Sequence, residues 1–261
     1  MKTIKLVVVL LVSAAVAYAQ SPEEKGLAIA KAADEADQGF ESSFVKLKMV
    51  LRNKQGQEST RFMENKTLEL VEDGDKSLIV FKSPKDVEGT ATLTFTHKTT
   101  SDDQWLYLPA IKRVKRISSD NKSGPFMGSE FAYEDLSSDE VEKYSYKFLR
   151  DEQFNGSNTV VVEQDPVDPK SGYKRRVVWY NLDKNYRLEK IEFFDRKNSL
   201  LKTLTYDDYN QYEGKHWRAG KFLMVNHQTG KETELFFENW DLKYGLADTD
   251  FSQNSLRRAG R

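Results

Sequence analysis

The chain has 261 residues, of which 38% are hydrophobic and 31% are charged, and it contains no cysteine. Lysine and arginine together number 40 and aspartate and glutamate 41, so the formal net charge is −1. This balance argues against a general nucleic-acid binder, whose footprint is a strongly basic domain, and the lack of cysteine excludes a disulfide framework.

The amino-terminal end has the pattern of a secretory signal peptide. Lys2 and Lys5 give it a positive start, residues 4–16 are apolar, and Ala17-Tyr18-Ala19 supplies the small residues of a cleavage site. The apolar stretch is shorter than the ~20 residues that a membrane-spanning helix needs. We therefore expect an exported protein that is cleaved after Ala19 and carries no lipid anchor, since no cysteine is available for acylation.

The segment that follows, residues 21–40, predicts the one clear helix. Ser21 suits the N-cap, Pro22 suits the first turn, and Gly39 is a suitable stop. Apolar side chains recur at helical spacing on one narrow face: Ile29, Ala33, Ala36 and Phe40. A face this narrow predicts a helix that packs closely against a sheet and is marginal alone.

From about residue 43 the apolar period changes to two, the period of half-buried strands. Val45 and Leu47 alternate with Lys46 and Lys48, and Asp73-Gly74 lies between two apolar runs as a hairpin signal. Many similar runs follow, separated by short polar turns without helical crossovers, so the strands should be antiparallel. We predict a mainly β fold in one domain, residues 20–261: a single large curved sheet or open barrel, with the helix over one opening.

The interior of such a sheet could either contain a cavity or be packed with side chains. One short helix does not fill a barrel of this size, and barrels of about eight strands already have room for a small ligand. An apolar cavity is therefore one hypothesis, and a fully packed β core is the alternative.

Signatures of an active site are weak. His97, His216 and His227 are isolated and lack a metal-binding spacing. Neighbouring carboxylates, such as those at 134–135 and 207–208, point to opposite faces of a strand and are interpreted as turns and solvated edges. The sequence therefore predicts no enzyme, no cofactor and no metal site.

Residues 104–117, QWLYLPAIKRVKRI, combine an aromatic strand with four positive charges in five residues. After Pro109 both faces of the predicted strand carry charge, which excludes a strand buried on both sides. The basic side chains either meet an anionic partner or belong to a solvated strand and pair with acids on neighbouring strands.

The longer segment 102–136, DDQWLYLPAIKRVKRISSDNKSGPFMGSEFAYEDL, resembles the LolA-like outer-membrane lipoprotein-sorting family. The similarity is to its periplasmic branch, which is often linked to lipid exporters of the RND (MMPL-like) type. LLKTLTYDDYNQYEGKHWRA, NHQTGKET and DFSQNSLRR are similar to later parts of the same branch, so the resemblance covers most of the mature chain.

The resemblance implies a half-open antiparallel β-barrel with a helical lid over an apolar cavity that accepts acyl chains. It implies a periplasmic carrier or chaperone for a lipid or lipoprotein moving toward the outer membrane, and no catalysis. Implied partners are acyl chains, an inner-membrane RND-type transporter and an outer-membrane acceptor. The alternative is an accessory protein that docks on such an exporter and carries no cargo.

Within this segment two groups of residues are candidates for the site. Arg113 and Arg116 are the candidate contacts to a headgroup or partner, since arginine holds phosphate or carboxylate bidentately. Phe126 and Met127 either form an adaptable apolar contact in a rim loop or pack into the core. The candidate cargo-binding residues are Trp105, Tyr107, Phe126, Met127, Phe131 and Tyr133.

Overall fold

The computed structural model describes residues 20–259. The predicted signal peptide, residues 1–19, lies outside this range. Among the helices of the described range, none combines the length and the apolar composition that crossing a bilayer requires.

Alternating apolar and polar residues form strands along almost the whole described chain. Two helices flank them, α1 (Pro22–Asp37) and α2 (Gln253–Ala259). The strands in chain order are β1 (Ser42–Arg52), β2 (Glu58–Leu68), β3 (Lys76–Ser83), β4 (Ala91–Phe95), β5 (Asp103–Leu108), β6 (Arg113–Ile117), β7 (Tyr144–Phe154), β8 (Ser157–Pro166), β9 (Tyr173–Asn181), β10 (Arg187–Asp195), β11 (Leu200–Asp207), β12 (Asn210–Tyr212), β13 (His216–Arg218), β14 (Lys221–Asn226) and β15 (Lys231–Leu242).

Thirteen of the strands form one antiparallel sheet in the order β6-β5-β4-β3-β2-β1-β15-β14-β11-β10-β9-β8-β7, and β12 and β13 form a separate hairpin. Strands β2 and β3 pair across the turn that contains Asp73, as the sequence predicts. The two edge strands, β6 and β7, are not paired with each other, so the barrel is half-open. The predicted fold, a large curved antiparallel sheet with an amino-terminal helix, is confirmed.

The concave face of the sheet carries the main hydrophobic core. On β1, Val45, Leu47 and Met49 point into it, in the alternation that the sequence predicts. Residues from β2, β3, β7 to β11, β14 and β15 complete it. Burial of these side chains supplies the main driving force for closing the sheet around its interior.

Helix α1 packs against this core at the β7 edge. Ser21 and Glu24 form a reciprocal capping box at its first turn, and Ile29 and Ala30 are buried in the core. Gly26 lies so close to β7 that a Cβ atom there would be 2.8 Å from the backbone nitrogen of Phe148. The absence of a side chain at Gly26 is therefore what lets helix and strand approach.

A second, smaller core lies on the convex face. Strands β3, β4 and β5 contribute Leu78, Leu93 and Tyr107, and the carboxy-terminal segment covers them with Phe251 and with Leu256 of α2. Helix α2 therefore closes the convex face at the β5 end of the sheet.

Residues 118–143 connect β6 to β7, and we call them the plug. Because these two strands form opposite edges of the sheet, the plug has to cross the open side of the barrel. Phe126 packs against Phe81 of β3, with ring centroids 5.7 Å apart, while Glu130 reaches Asn226 of β14 with a side-chain hydrogen bond of 2.6 Å. The plug therefore lies inside the concave face and contacts both halves of the sheet.

Candidate functional site

A cleft of about 370 Å³ remains between the plug and the concave face. Its mouth is formed by the β4–β5 loop, the plug and the β8–β9 loop, and its volume lies in the range of small-molecule pockets. We call it the aromatic cleft. Its apolar lining consists of Phe131, Tyr144, Pro166, Val167, Tyr173, Ile191, Phe193, Leu204, Tyr206 and Phe222.

A row of aromatic rings leads away from this cleft along β11, β14 and β15. Tyr206 and Phe222 line the cleft, with ring centroids 4.7 Å apart. Phe222 lies 4.6 Å from Phe237, which stacks on Trp240 at 5.2 Å. All four side chains are only half-buried, so they present a continuous apolar track inside the barrel.

A buried ion pair fixes the plug over the cleft. The Lys202 ammonium on β11 lies 2.6 Å from an Asp135 carboxylate oxygen, and both side chains are almost inaccessible. Lys202 also donates to the backbone carbonyl of Glu130 at 2.9 Å. Asp135 further accepts from the Tyr173 hydroxyl at 2.8 Å and from the Ala132 amide at 2.7 Å. A buried charge is stable only when polar partners such as these replace its contacts with water.

A second cation lies nearer the mouth of the cleft. Arg176 of β9 is buried, and its Nε donates to Gln164 Oε1 at 2.5 Å. Its guanidinium lies 4.0 Å from the Tyr144 ring centroid, a cation–π geometry. Its Nη1 lies 2.9 Å from Asp139 of the plug, whose side chain is 47% exposed. In this ion pair Arg176 is therefore buried and Asp139 is partly exposed to solvent.

The rim on the β8–β9 side is polar. Lys122 of the plug pairs with Asp168 at 2.6 Å. Partial burial raises the pKa of the Asp168 carboxyl, but the hydrogen bond from Lys122, with a backbone hydrogen bond and nearby positive charges, outweighs burial and keeps this pKa below its usual range. Glu134 accepts from the Ser171 hydroxyl and the Gly172 amide, both at 2.9 Å. Burial raises the pKa of Glu134. These contacts tie the plug to the β8–β9 loop.

A group of acids lies where the plug approaches α1 and the start of β3. Burial, with the charges of Asp75 and Asp34 added, raises the pKa of Glu140 to about 7. Burial also raises the pKa of Asp75 to about 6. The folded structure therefore favours the protonated forms of Glu140 and Asp75 over their ionised forms.

A second cleft of about 550 Å³ lies on the other side of the plug. Phe131 and Tyr173 line both clefts, and Lys202 and Asn226 line the second. The ring of Phe131 is thus part of the wall between the two spaces.

The structure brings four of the six predicted cargo residues together in the plug. Phe126 is 1% exposed and packs 5.7 Å from the Tyr133 ring, so of the two alternatives for Phe126 the structure supports core packing. Met127 and Tyr133 are half-buried against the same core. Phe131 is the one that lines the aromatic cleft.

The other two predicted cargo residues lie elsewhere. Trp105 and Tyr107 point to the convex face of β5, where Tyr107 is buried in the small core under α2. Trp105 packs edge-to-face on Phe95, with centroids 5.1 Å apart. The sheet therefore separates them from the plug and from the aromatic cleft.

The two predicted arginines lie on the edge strand β6 and are both exposed. Arg116 is opposite Trp105 and Arg113 is opposite Leu108, so their side chains point to opposite faces. Arg116 pairs with Asp103 on the neighbouring strand, as the solvated-strand alternative predicts for it. Arg113 has no ion-pair partner in the structure as described over residues 20–259.

The interpretation of the 134–135 carboxylates as solvated edges is wrong, because Asp135 is buried on Lys202. Sequence reasoning also missed Lys202 and Arg176. A signal exists for both: Lys202 shares a strand face with Leu204, and Arg176 shares one with Val178. A charged residue on the same strand face as core residues indicates a buried side chain that is paired with an opposite charge.

A family model described as an uncharacterised protein family matches residues 73–258. No curated protein matches the chain. Within the described part, residues 20–259, no group of three histidine or acidic side chains is arranged to hold a metal ion.

Three solved structures are similar over nearly the whole chain. A candidate outer membrane lipoprotein-sorting protein domain from Vibrio parahaemolyticus is 54% identical, covers 90% of this chain and 100% of its own, and superposes with a TM-score of 0.89. A DUF1329 family protein from Desulfovibrio piger is 28% identical, with 90% and 99% coverage and a TM-score of 0.86. A LolA superfamily protein from Nitrosomonas europaea, 21% identical with 88% and 98% coverage, shares the fold at a TM-score of 0.71.

The match at 54% identity and the family model each span most of the chain, and the TM-score of 0.89 shows that the fold is shared. The chain belongs to the same family as the outer membrane lipoprotein-sorting protein domain from Vibrio parahaemolyticus, and it has the fold of the LolA superfamily protein.

Proposed function

We propose that this protein is a periplasmic carrier that binds the acyl part of a lipid or lipoprotein in the aromatic cleft and transports it toward the outer membrane. The observation that carries the proposal is the cleft itself, a space inside a half-open barrel with an apolar, largely aromatic wall and a polar rim. Family membership and the signal-peptide pattern support the cargo class and the compartment.

The cargo path follows from the apolar surfaces inside the barrel. An acyl chain entering through the mouth of the cleft meets Phe193 and Leu204 and then the aromatic row that starts at Tyr206. Burial of apolar chain against such surfaces contributes about 25 cal/mol per Å². In this proposal Phe131 contacts cargo, while Phe126, Met127 and Tyr133 hold the plug in place.

Trp105 and Tyr107 have no part in this path, because they lie on the convex face under α2. The exposed cations of β6 are instead proposed to contact an anionic headgroup outside the cleft, on a membrane surface, or an acidic partner. Arg113 is the first candidate, since Arg116 is already paired with Asp103.

A second candidate function is an accessory protein that docks on an RND-type exporter and carries no cargo. The observation that favours it is the plug, which fills much of the barrel and is fixed there by buried polar contacts. An accessory protein needs an exposed contact surface and no accessible cavity.

Native mass spectrometry of the mature protein, purified gently from a periplasm and followed by lipid extraction, distinguishes the two functions. A carrier retains an acyl species near one per chain and exchanges it for added palmitate. A protein that is recovered free of lipid and also refuses palmitate in solution would contradict the carrier and leave the accessory function.

A matched pair of variants then locates the binding site. Phe222 and Phe236 are both half-buried and lie on adjacent strands, but Phe222 lines the cleft and Phe236 lies on the convex face beside Lys48. We expect Phe222→Gln to weaken palmitate binding at least tenfold and Phe236→Gln to leave it within twofold. Equal effects of the two substitutions would place the cargo outside the aromatic cleft.

A further inference from the structure

We propose that the cargo carries an anionic headgroup, a carboxylate or a phosphate, and that Arg176 binds it in place of Asp139. This inference rests on the proposed function, since it specifies which amphiphiles the aromatic cleft accepts. It assigns Arg176 as a binding residue and Asp139 as an internal substitute for the headgroup.

Arg176 is buried in the wall of the aromatic cleft. The side chain projects from β9 on the same face as Val178 and Tyr180, is 6% exposed, and lines the aromatic cleft beside Tyr144 and Tyr206. An arginine is rarely buried in an apolar site, because removing its charge from water is costly unless a partner compensates. A purely structural role at this position would be filled at lower cost by an apolar residue.

Contacts with neighbouring side chains hold the Arg176 guanidinium in a fixed orientation. Its Nε donates to Gln164 Oε1 at 2.5 Å, and the Gln164 amide donates in turn to the Tyr180 hydroxyl at 2.6 Å. Tyr144 covers one face of the guanidinium at 4.0 Å. The contacts with Gln164 and Tyr144 leave the Nη1 end directed toward the mouth of the cleft, where Asp139 lies. A preorganised fork of this kind binds a carboxylate or phosphate with little loss of side-chain entropy.

The two plug carboxylates that pair with cations of the sheet differ in burial. Asp135 is 7% exposed on its side chain and has three polar contacts, to Lys202, Tyr173 and Ala132, so its pairing is permanent. Asp139 is 47% exposed and pairs with Arg176 at 2.9 Å. Water can solvate the Asp139 carboxylate when it leaves Arg176, so its release costs less than the release of a fully buried carboxylate such as Asp135. Asp139 is therefore exchangeable, and its departure exposes a buried cation that needs another anion.

The position of the pair fits an amphiphile. Arg176 and Asp139 lie among the residues at the mouth, and Phe193, Leu204 and Phe222 line the same cleft. A headgroup at Arg176 would therefore leave its acyl chain against the apolar wall, while the water-facing side of the headgroup takes the place of the Asp139 carboxylate.

The test compares three probes with the same acyl chain and different headgroups: palmitate, palmitoyl lysophosphatidic acid and monopalmitoylglycerol. Their dissociation constants are measured below the micelle concentration by titration calorimetry. We expect at least one anionic probe to bind at least tenfold more tightly than the neutral glyceride. The tighter of the two anionic probes identifies the headgroup as carboxylate or phosphate.

Three variants assign this preference to Arg176. Arg176→Gln should reduce the preference for the anionic probe to below threefold and leave the neutral probe unaffected. Asp139→Asn removes the competing carboxylate and should tighten the anionic probe by about fivefold, again without affecting the neutral one. Arg175→Gln is the matched control, because the adjacent Arg175 lies on the convex face with Glu163.

The outcomes separate the inference from the function on which it rests. Binding of all three probes with equal affinity overturns the headgroup inference and preserves the acyl carrier. Failure of every probe to bind overturns the carrier and the inference together. If Arg176→Gln does not fold, Asp139→Asn decides, since its side chain is half in water; an unchanged anionic affinity in that variant contradicts the exchange of headgroup for Asp139.

Discussion

The ammonium of Lys202 lies 2.6 Å from the carboxylate of Asp135, with only 4% and 7% of the two side chains exposed. This pair joins the middle of the sheet to the plug that crosses its open side. Because Asp135 also accepts from Tyr173 and from the Ala132 amide, the plug is fixed at this point by a buried network and not by a surface contact.

Removal of one partner of this pair should strongly destabilise the protein. Lys202→Met leaves the Asp135 charge buried without its cation, and losses for broken buried pairs are about 3–5 kcal/mol. The double variant Lys202→Met, Asp135→Asn removes both charges and should recover a large part of that loss. Denaturant unfolding of the wild type, both single variants and the double variant measures the coupling free energy. Additive losses would show that the two charges do not stabilise each other.

The sequence predicts the sheet well because burial alternates along each strand. Val45, Leu47 and Met49 point to the core as their spacing indicates, and the helix begins at its capping box. The plug is different, because its course depends on the sheet order that places β6 and β7 on opposite edges. No local pattern in residues 118–143 indicates that Asp135 reaches Lys202 on β11.

Only part of the candidate site could be predicted from the sequence, because its composition also depends on long-range strand order and register. Trp105 and Phe131 belong to one continuous motif, yet the sheet lies between them. Which face of β5 is concave follows from strand register and from the packing of α2, and neither is set by the residues of the motif. The cation Arg176 was missed because it lies far from the motif along the sequence, although its alternation with Val178 marks it as an inward-facing charge.

The contact between α1 and β7 gives a prediction in which two effects oppose each other. In an open helix interior Gly26→Ala would stabilise by about 1 kcal/mol. Here the added Cβ would be 2.8 Å from the backbone nitrogen of Phe148. Overpacking of this kind costs about 1–3 kcal/mol, so we expect a net loss of stability. Ala28→Gly, at an exposed site of the same helix, is the control for propensity alone. A rise in the melting temperature of Gly26→Ala would show that the helix is free to shift away from β7.

The acids at the plug junction should make stability fall as the pH rises. The pKa of Glu140 is raised from 4.5 to about 7 in the folded protein, mainly by burial, so the folded state favours the protonated form. The stability from this group is present in full below pH 4.5 and is lost as the pH rises through 7, with an upper bound of about 3 kcal/mol.

Glu140→Gln isolates this effect, because glutamine stays neutral. We expect the variant to unfold at higher denaturant concentration than the wild type at pH 8, and the difference to disappear near pH 4. Glu142→Gln, at an exposed glutamate two residues away, is the matched control. A Glu140→Gln advantage of the same size at both pH values would rule out titration of Glu140 as the cause.

The edge strand β6 carries exposed cations that are proposed to contact an anionic surface. The double variant Arg113→Glu, Arg116→Glu should change the unfolding free energy by less than about 1 kcal/mol, since exposed pairs such as Arg116–Asp103 contribute little. It should slow the transfer of a pyrene-labelled fatty acid from the protein to phosphatidylglycerol vesicles at low salt, and leave transfer to neutral vesicles unchanged. Lys174→Glu, Lys231→Glu, at exposed lysines outside β6, controls for net charge. If this control slows transfer as much as the arginine variant, the effect belongs to overall charge and β6 has no specific contact role.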